Sequence, residues 1–179
     1  MTIIPQNVAR YRPMTVGQVA EVVGVPRETL RTWLRDEVFD NLRQGPQEGG
    51  WRRFTDFEAI TIGVYGKVLE CSRDHDAARV GMLLAAKLIM DEWVEIEGVP
   101  YLADETFKKD RMLFFWRGED GAWTADTSDM GDGFNSAMNA RLNDTYQNGP
   151  AFLVLNLGTI LKRVLRSLLN VQISMGEAQ

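Results

Sequence analysis

Three arginines recur every four residues in the stretch VPRETLRTWLRDEV, at Arg27, Arg31 and Arg35. On an α-helix that spacing places them on one face. A guanidinium is permanently charged and presents a planar fork of donors, so such a face suits paired hydrogen bonding to phosphate or to the edge of a guanine. Thr32 and Glu28 stand among them; a threonine can hydrogen-bond a base or touch a thymine methyl. A second group of cations, Arg52 and Arg53, lies in GGWRRFT, with Arg43 shortly before it. The plainer alternative is a solvated helix face whose arginines pair with Glu28, Asp36 and Glu37.

What decides between the two is the set of elements around the arginines. Thr15 precedes Val16, Val19, Ala20 and Val23, the spacing of a short amphipathic helix with a threonine cap. Gln18, three residues on, completes a capping box. Gly24 ends that helix as a residue able to take positive φ. Val25-Pro26 makes the turn, with Pro26 near the first position of the next helix. There Leu30, Trp33 and Leu34 form the apolar side, opposite the arginines. Two short helices on a tight glycine turn make a helix-turn-helix. Beyond Val38, Gly-Pro and Gly-Gly punctuate two short strands, the first at Leu42-Arg43 and the second over Trp51 to Phe54. Thr55 with Glu58 forms a second capping box, opening a helix whose buried stripe is Ile60, Val64, Val68 and Leu69. A further helix runs from about Asp76 to Trp93.

The order helix, turn, helix, two-stranded wing, helix supports a specific comparison. TVGQVAEVVGVPRETLRTWLRDEV resembles the opening of the MerR-type winged helix-turn-helix family, and GGWRRFTDFEAI resembles that family's wing and the capped helix after it. The likeness covers about residues 14–72. Glu37-Val38-Phe39 replaces the family's Gly-Leu-Leu, and NLRQGP stands where a Pro-x-Arg is usual. The resemblance implies that the helix beginning at Arg27 enters the major groove of double-stranded DNA. Arg27, Glu28 and Thr32 would then reach base edges, Arg31 would hold a phosphate with Arg35 on the same DNA-facing side, and Trp33 would lie against the backbone. In the wing, Arg52, assisted by Arg53 and Arg43, would grip phosphate or the minor groove. Thr15, at the start of the first helix, joins this set.

After Val94 no family is recognisable. RMLFFWRG and GAWTAD flank a Gly118–Gly121 turn and read as a β-hairpin; Phe134 to Tyr146 is a polar helix candidate; AFLVLNL reads as a buried strand. GTILKRVLRSLLNVQI is an amphipathic helix, with Ile160, Leu161, Val164, Leu165, Leu168 and Leu169 on one side and Lys162, Arg163 and Arg166 on the other. Phe114, Trp116 and Trp123 are the aromatic residues that would line a ligand pocket in this half.

Composition narrows the remaining choices. Residues 1–75 hold ten Lys/Arg against ten Asp/Glu, and residues 76–179 hold ten against fifteen, so a neutral front half precedes an acidic back half. No apolar run approaches the roughly 18 residues of a membrane span, and no secretory signal stands at the start. Cys71 is the only cysteine, which excludes an intrachain disulfide and a thiolate metal cluster. His75 is the only histidine and reads as a helix-start residue beside capping aspartates rather than a catalytic base. The acidic stretch DTSDMGDGF lacks the spaced ligand set and closing Glu of a calcium loop. Nothing points to an enzyme, a metal or a cofactor.

The sequence thus predicts a mainly α protein with a small β component (α+β). An N-terminal extension, 1–13, precedes a winged helix-turn-helix over 14–75. A connecting helix over 76–93 then leads to an α+β dimerisation or sensing domain over 94–179. The function it implies is a cytoplasmic, homodimeric, sequence-specific DNA-binding transcriptional regulator, with a small-molecule or protein effector acting at the C-terminal half. The alternative is a phage- or mobile-element protein, an excisionase or small terminase subunit, that bends or recognises DNA without regulating transcription.

Overall fold

The computed structural model describes residues 13–36, 38–39, 47–48, 51–91, 93–96, 99–102, 111–118, 120–129, 136, 138–140 and 152–177. Two helices open it, α1 (Val16–Val23) and α2 (Arg27–Arg35), followed by a hairpin of β1 (Gln47–Glu48) and β2 (Trp51–Arg52). Two long helices come next, α3 (Asp56–Ser72) and α4 (His75–Asp91). The hairpin β3 (Trp93–Ile96) and β4 (Val99–Leu102), the strands β5 (Arg111–Arg117), β6 (Trp123–Asp129) and β7 (Phe152–Asn156), and a helix α5 (Leu157–Glu177) follow among the described residues. The fold is mainly helical with a small antiparallel sheet, as the sequence predicts.

The two capping boxes form alike. Thr15 and Thr55 share φ −78° and ψ 163°, and each accepts from the amide three residues on, while Gln18 and Glu58 accept from the N–H of their own cap. Gly24 stands at φ 77°, the left-handed conformation that closes α1 with its N–H on Ala20 and Glu21 carbonyls. Met14 and Phe54 exchange backbone hydrogen bonds of 2.9 Å, tying the entry of α1 to the exit of the wing.

Three sequence expectations change. The wing's first strand is Gln47–Glu48, in register with Trp51 and Arg52, while Leu42 and Arg43 lie outside the described residues. The second strand ends at Arg52, because Phe54 turns to pair with Met14 instead. Trp93 belongs to β3 and not to the preceding helix, which ends at Asp91. Of the polar helix expected over Phe134 to Tyr146, only 136 and 138–140 are described, and they are helical; the rest lies outside the described residues.

The sheet has the order β6-β5-β7, antiparallel throughout. Side chains alternate across it. Leu113 and Phe115 point into the helices and are fully buried. Phe114 pairs with Asp126 and Trp116 with Thr124, so those four share the opposite face. Trp123 pairs with Arg117 on the helix side, where the Arg117 guanidinium lies 5.0 Å over its ring. A pocket lined jointly by Phe114, Trp116 and Trp123 is therefore ruled out by the pleat.

The last helix packs against α3 and α1. Its buried residues Leu161, Val164, Leu168 and Val171 belong to the same core as Val19, Val22, Ile60 and Tyr65. Ile160 and Leu165 are packed against that core, and Lys162, Arg163 and Arg166 face solvent, as the amphipathic pattern predicts. Gly63 allows the approach: a Cβ there would stand 2.6 Å from Val164 Cγ1. Roughly 100 residues of chain separate these partners, yet one continuous apolar cluster holds them. Burial of such side chains stabilises by roughly 1.5–3 kcal/mol each, which makes the contact a substantial part of the fold.

Candidate nucleic-acid interface

On α2 the inner side is set by Leu30, fully buried, and by Trp33, 8% exposed. Trp33 stacks edge-on against Phe39 and Tyr65 at centroid distances of 6.3 and 5.1 Å. Its indole is thus a core anchor, a correction to the expected backbone contact. With that side fixed, Arg27, Glu28, Arg31, Thr32 and Arg35 are all exposed. Arg27 has no ion-pair partner among the described residues. Arg31 Nη1 lies 2.6 Å from Glu28 Oε1, and Arg35 Nε lies 3.3 Å from Asp36 Oδ1. Such exposed pairs contribute little, about 0–1 kcal/mol. A phosphate, offering more acceptors and more charge, can displace them.

The wing arginine is held differently. Arg52 Nη2 stands 3.6 Å from Oε1 of Glu58, whose side chain is fully buried. Its Cζ lies 4.8 Å over the Phe54 ring. Arg52 Nε and Nη2 are enclosed without a hydrogen-bond partner. The other Glu58 oxygen accepts from the Thr55 amide at 2.8 Å. One buried carboxylate thus caps α3 and steadies the wing cation. Arg53 is half-buried, and Arg43 lies outside the described residues. Thr15 is exposed, with its hydroxyl engaged by Gln18 in the capping box.

Two further contacts carry no signal in local sequence. Gln172 on α5, 7% exposed, donates from Nε2 to Asp56 Oδ1 at 3.0 Å. Burial pushes the Asp56 carboxyl up to about 6, although the Gln172 hydrogen bond pulls the other way. The Tyr65 hydroxyl meets His75 Nδ1 at 2.5 Å, and burial pushes this phenol up to about 12, with Arg79 lowering and Asp76 raising it. His75 does open α4 beside a capping aspartate: Asp74 Oδ1 accepts from the amides of Asp76 and Ala77. The other Asp74 oxygen takes a 2.7 Å hydrogen bond from Arg117. Burial raises the Asp74 pKa, but these donors outweigh it and hold the carboxyl below its ordinary value. Trp123 Nε1 also faces Asp74, outside hydrogen-bonding geometry. Among the described residues no helix is long and apolar enough to cross a membrane, and no group of three His, Cys, Asp or Glu residues is placed to hold a metal.

An exposed cationic helix on a buried aromatic anchor, between two helices opened by capping boxes and beside a short antiparallel wing, defines a winged helix-turn-helix. Residues 14–61 match the model of the family described as MerR HTH family regulatory protein, so this segment is a MerR-type helix-turn-helix. At the level of that family it is a DNA-binding regulatory module. No curated protein matches the chain.

Proposed function

We propose that the protein is a sequence-specific DNA-binding transcriptional regulator. Arg27, Glu28 and Thr32 read base edges in the major groove, and Arg31 and Arg35 hold the flanking phosphates. The wing, through Arg52 with Arg53 and Arg43, meets the backbone or the minor groove of the neighbouring turn. The protein acts in the cytoplasm as a homodimer on paired half-sites. The half after α4 joins the copies or senses an effector. The single observation that carries the reading is the division of α2: Leu30 and Trp33 are buried on one side while Arg27, Arg31 and Arg35 are exposed on the other.

Genome-wide crosslinking followed by footprinting of the strongest site tests it. Two half-sites related by symmetry over a promoter are expected. Uniform, sequence-independent protection, or sites away from promoters, would overturn the reading.

A further inference from the structure

The contact between α5 and the start of α3 lies beside the wing. Gln172 Nε2 donates to Asp56 Oδ1 at 3.0 Å, and Asp56 is the first residue of α3, directly after its cap Thr55. The Thr55 amide is held by Glu58 Oε2, and Glu58 Oε1 faces the Arg52 guanidinium. Phe54, under that guanidinium, is bonded through its backbone to Met14 at the entry of α1. Gln172, Asp56, Thr55, Glu58 and Arg52 thus form one unbroken series of contacts, running from the last helix to the wing cation.

We propose that Gln172 is a positioning residue for the wing: the last helix fixes the first turn of α3, and that turn aims Arg52. This rests on the DNA-binding reading given above and extends it, because it places a determinant of DNA contact more than 100 residues away in sequence. The physical reason is the buried setting. Gln172 is 7% exposed, and removing its amide leaves the half-buried Asp56 carboxylate short of a donor. The first turn of α3 must then shift to let water in. Glu58 moves with that turn, and Arg52 loses its fixed direction. The arginines of α2 are anchored separately, through Trp33 on Phe39 and Tyr65, and keep theirs.

The test compares the full-length protein with Gln172→Leu and Asp56→Asn, the second of which keeps an acceptor for Gln172. Without DNA, amide hydrogen exchange at Phe54 and Thr55 is expected to quicken in Gln172→Leu, while the amides of Leu30 and Trp33 stay protected. On the footprinted site, Gln172→Leu is expected to bind roughly three- to tenfold more weakly. Hydroxyl-radical protection should fade over the turn that the wing meets and persist over the groove that α2 occupies, with the salt slope reduced by about one phosphate contact. Asp56→Asn should retain protection over both. Protection lost evenly across the site would mean a general structural role and overturns the proposal, as does unchanged exchange at Thr55. If the wild type selects no DNA sequence, the functional reading fails by itself, and the exchange comparison still decides whether Gln172 controls the wing.

Discussion

The arginines of α2 and the arginine of the wing are the same chemical group in opposite settings. Arg31 and Arg35 keep 44% and 75% of their side chains exposed, with carboxylates that are themselves exposed. Arg52 keeps 26%, against a carboxylate with none. Water screens the first pairs and leaves them exchangeable; enclosure makes the second part of the fold. One set of guanidiniums is therefore free to leave its partners for a ligand. The other is held in a direction, so that removing its partner disturbs the protein itself.

The strongest way to break this contrast is Glu58→Gln. The amide still caps Thr55 but removes the charge facing Arg52, and a loss of about 3 kcal/mol is expected in urea unfolding. A loss below about 0.5 kcal/mol would show that the wing arginine is as loosely held as those of α2. Gly63→Ala follows, since the new Cβ meets Val164; about 2 kcal/mol should be lost and partly recovered in the Gly63→Ala, Val164→Ala double variant. No recovery would mean that α5 does not press on α3 at this point.

The pH response sharpens the same point through Asp56. Its carboxyl holds a proton up to about pH 6 in the folded chain but only to about 3.8 when unfolded. The folded state therefore binds more protons between those values, so stability falls as pH rises through that window. Thermal unfolding from pH 4 to 7 should show wild type losing ground to Asp56→Asn, and parallel curves would contradict the buried setting. The smallest effect on stability belongs to α2. Arg31→Ala should change unfolding by no more than about 0.5 kcal/mol, yet weaken DNA binding and lower the salt slope by about one. Arg27→Ala should relax preference at one base position at a similarly small structural cost. If Arg31→Ala leaves DNA affinity unchanged, the docking proposed for α2 is wrong.

Much of the winged helix-turn-helix is legible in the sequence because its signals are local. Both capping boxes, the left-handed Gly24 and the Leu30–Trp33 side of α2 depend on residues within four positions of one another, and each stands where the spacing puts it. The wing was harder to place. Its strands are two residues long, too short for alternation to register, so the sequence points to Leu42-Arg43 where Gln47–Glu48 is the paired segment. Trp93 continues a helical stripe in the sequence, and only its pairing with Leu102 draws it into a strand.

The residues of this chain settled by themselves where helices begin and which side of α2 is charged, since hydrogen bonding within a turn and the helical repeat act over a few positions. They did not settle which carboxylate would meet Arg52, that α5 would press on Gly63, or that Trp123 and Phe114 would face opposite ways. Those outcomes belong to tertiary structure, because burial, desolvation and side-chain pairing depend on elements far apart in the chain arriving at one place.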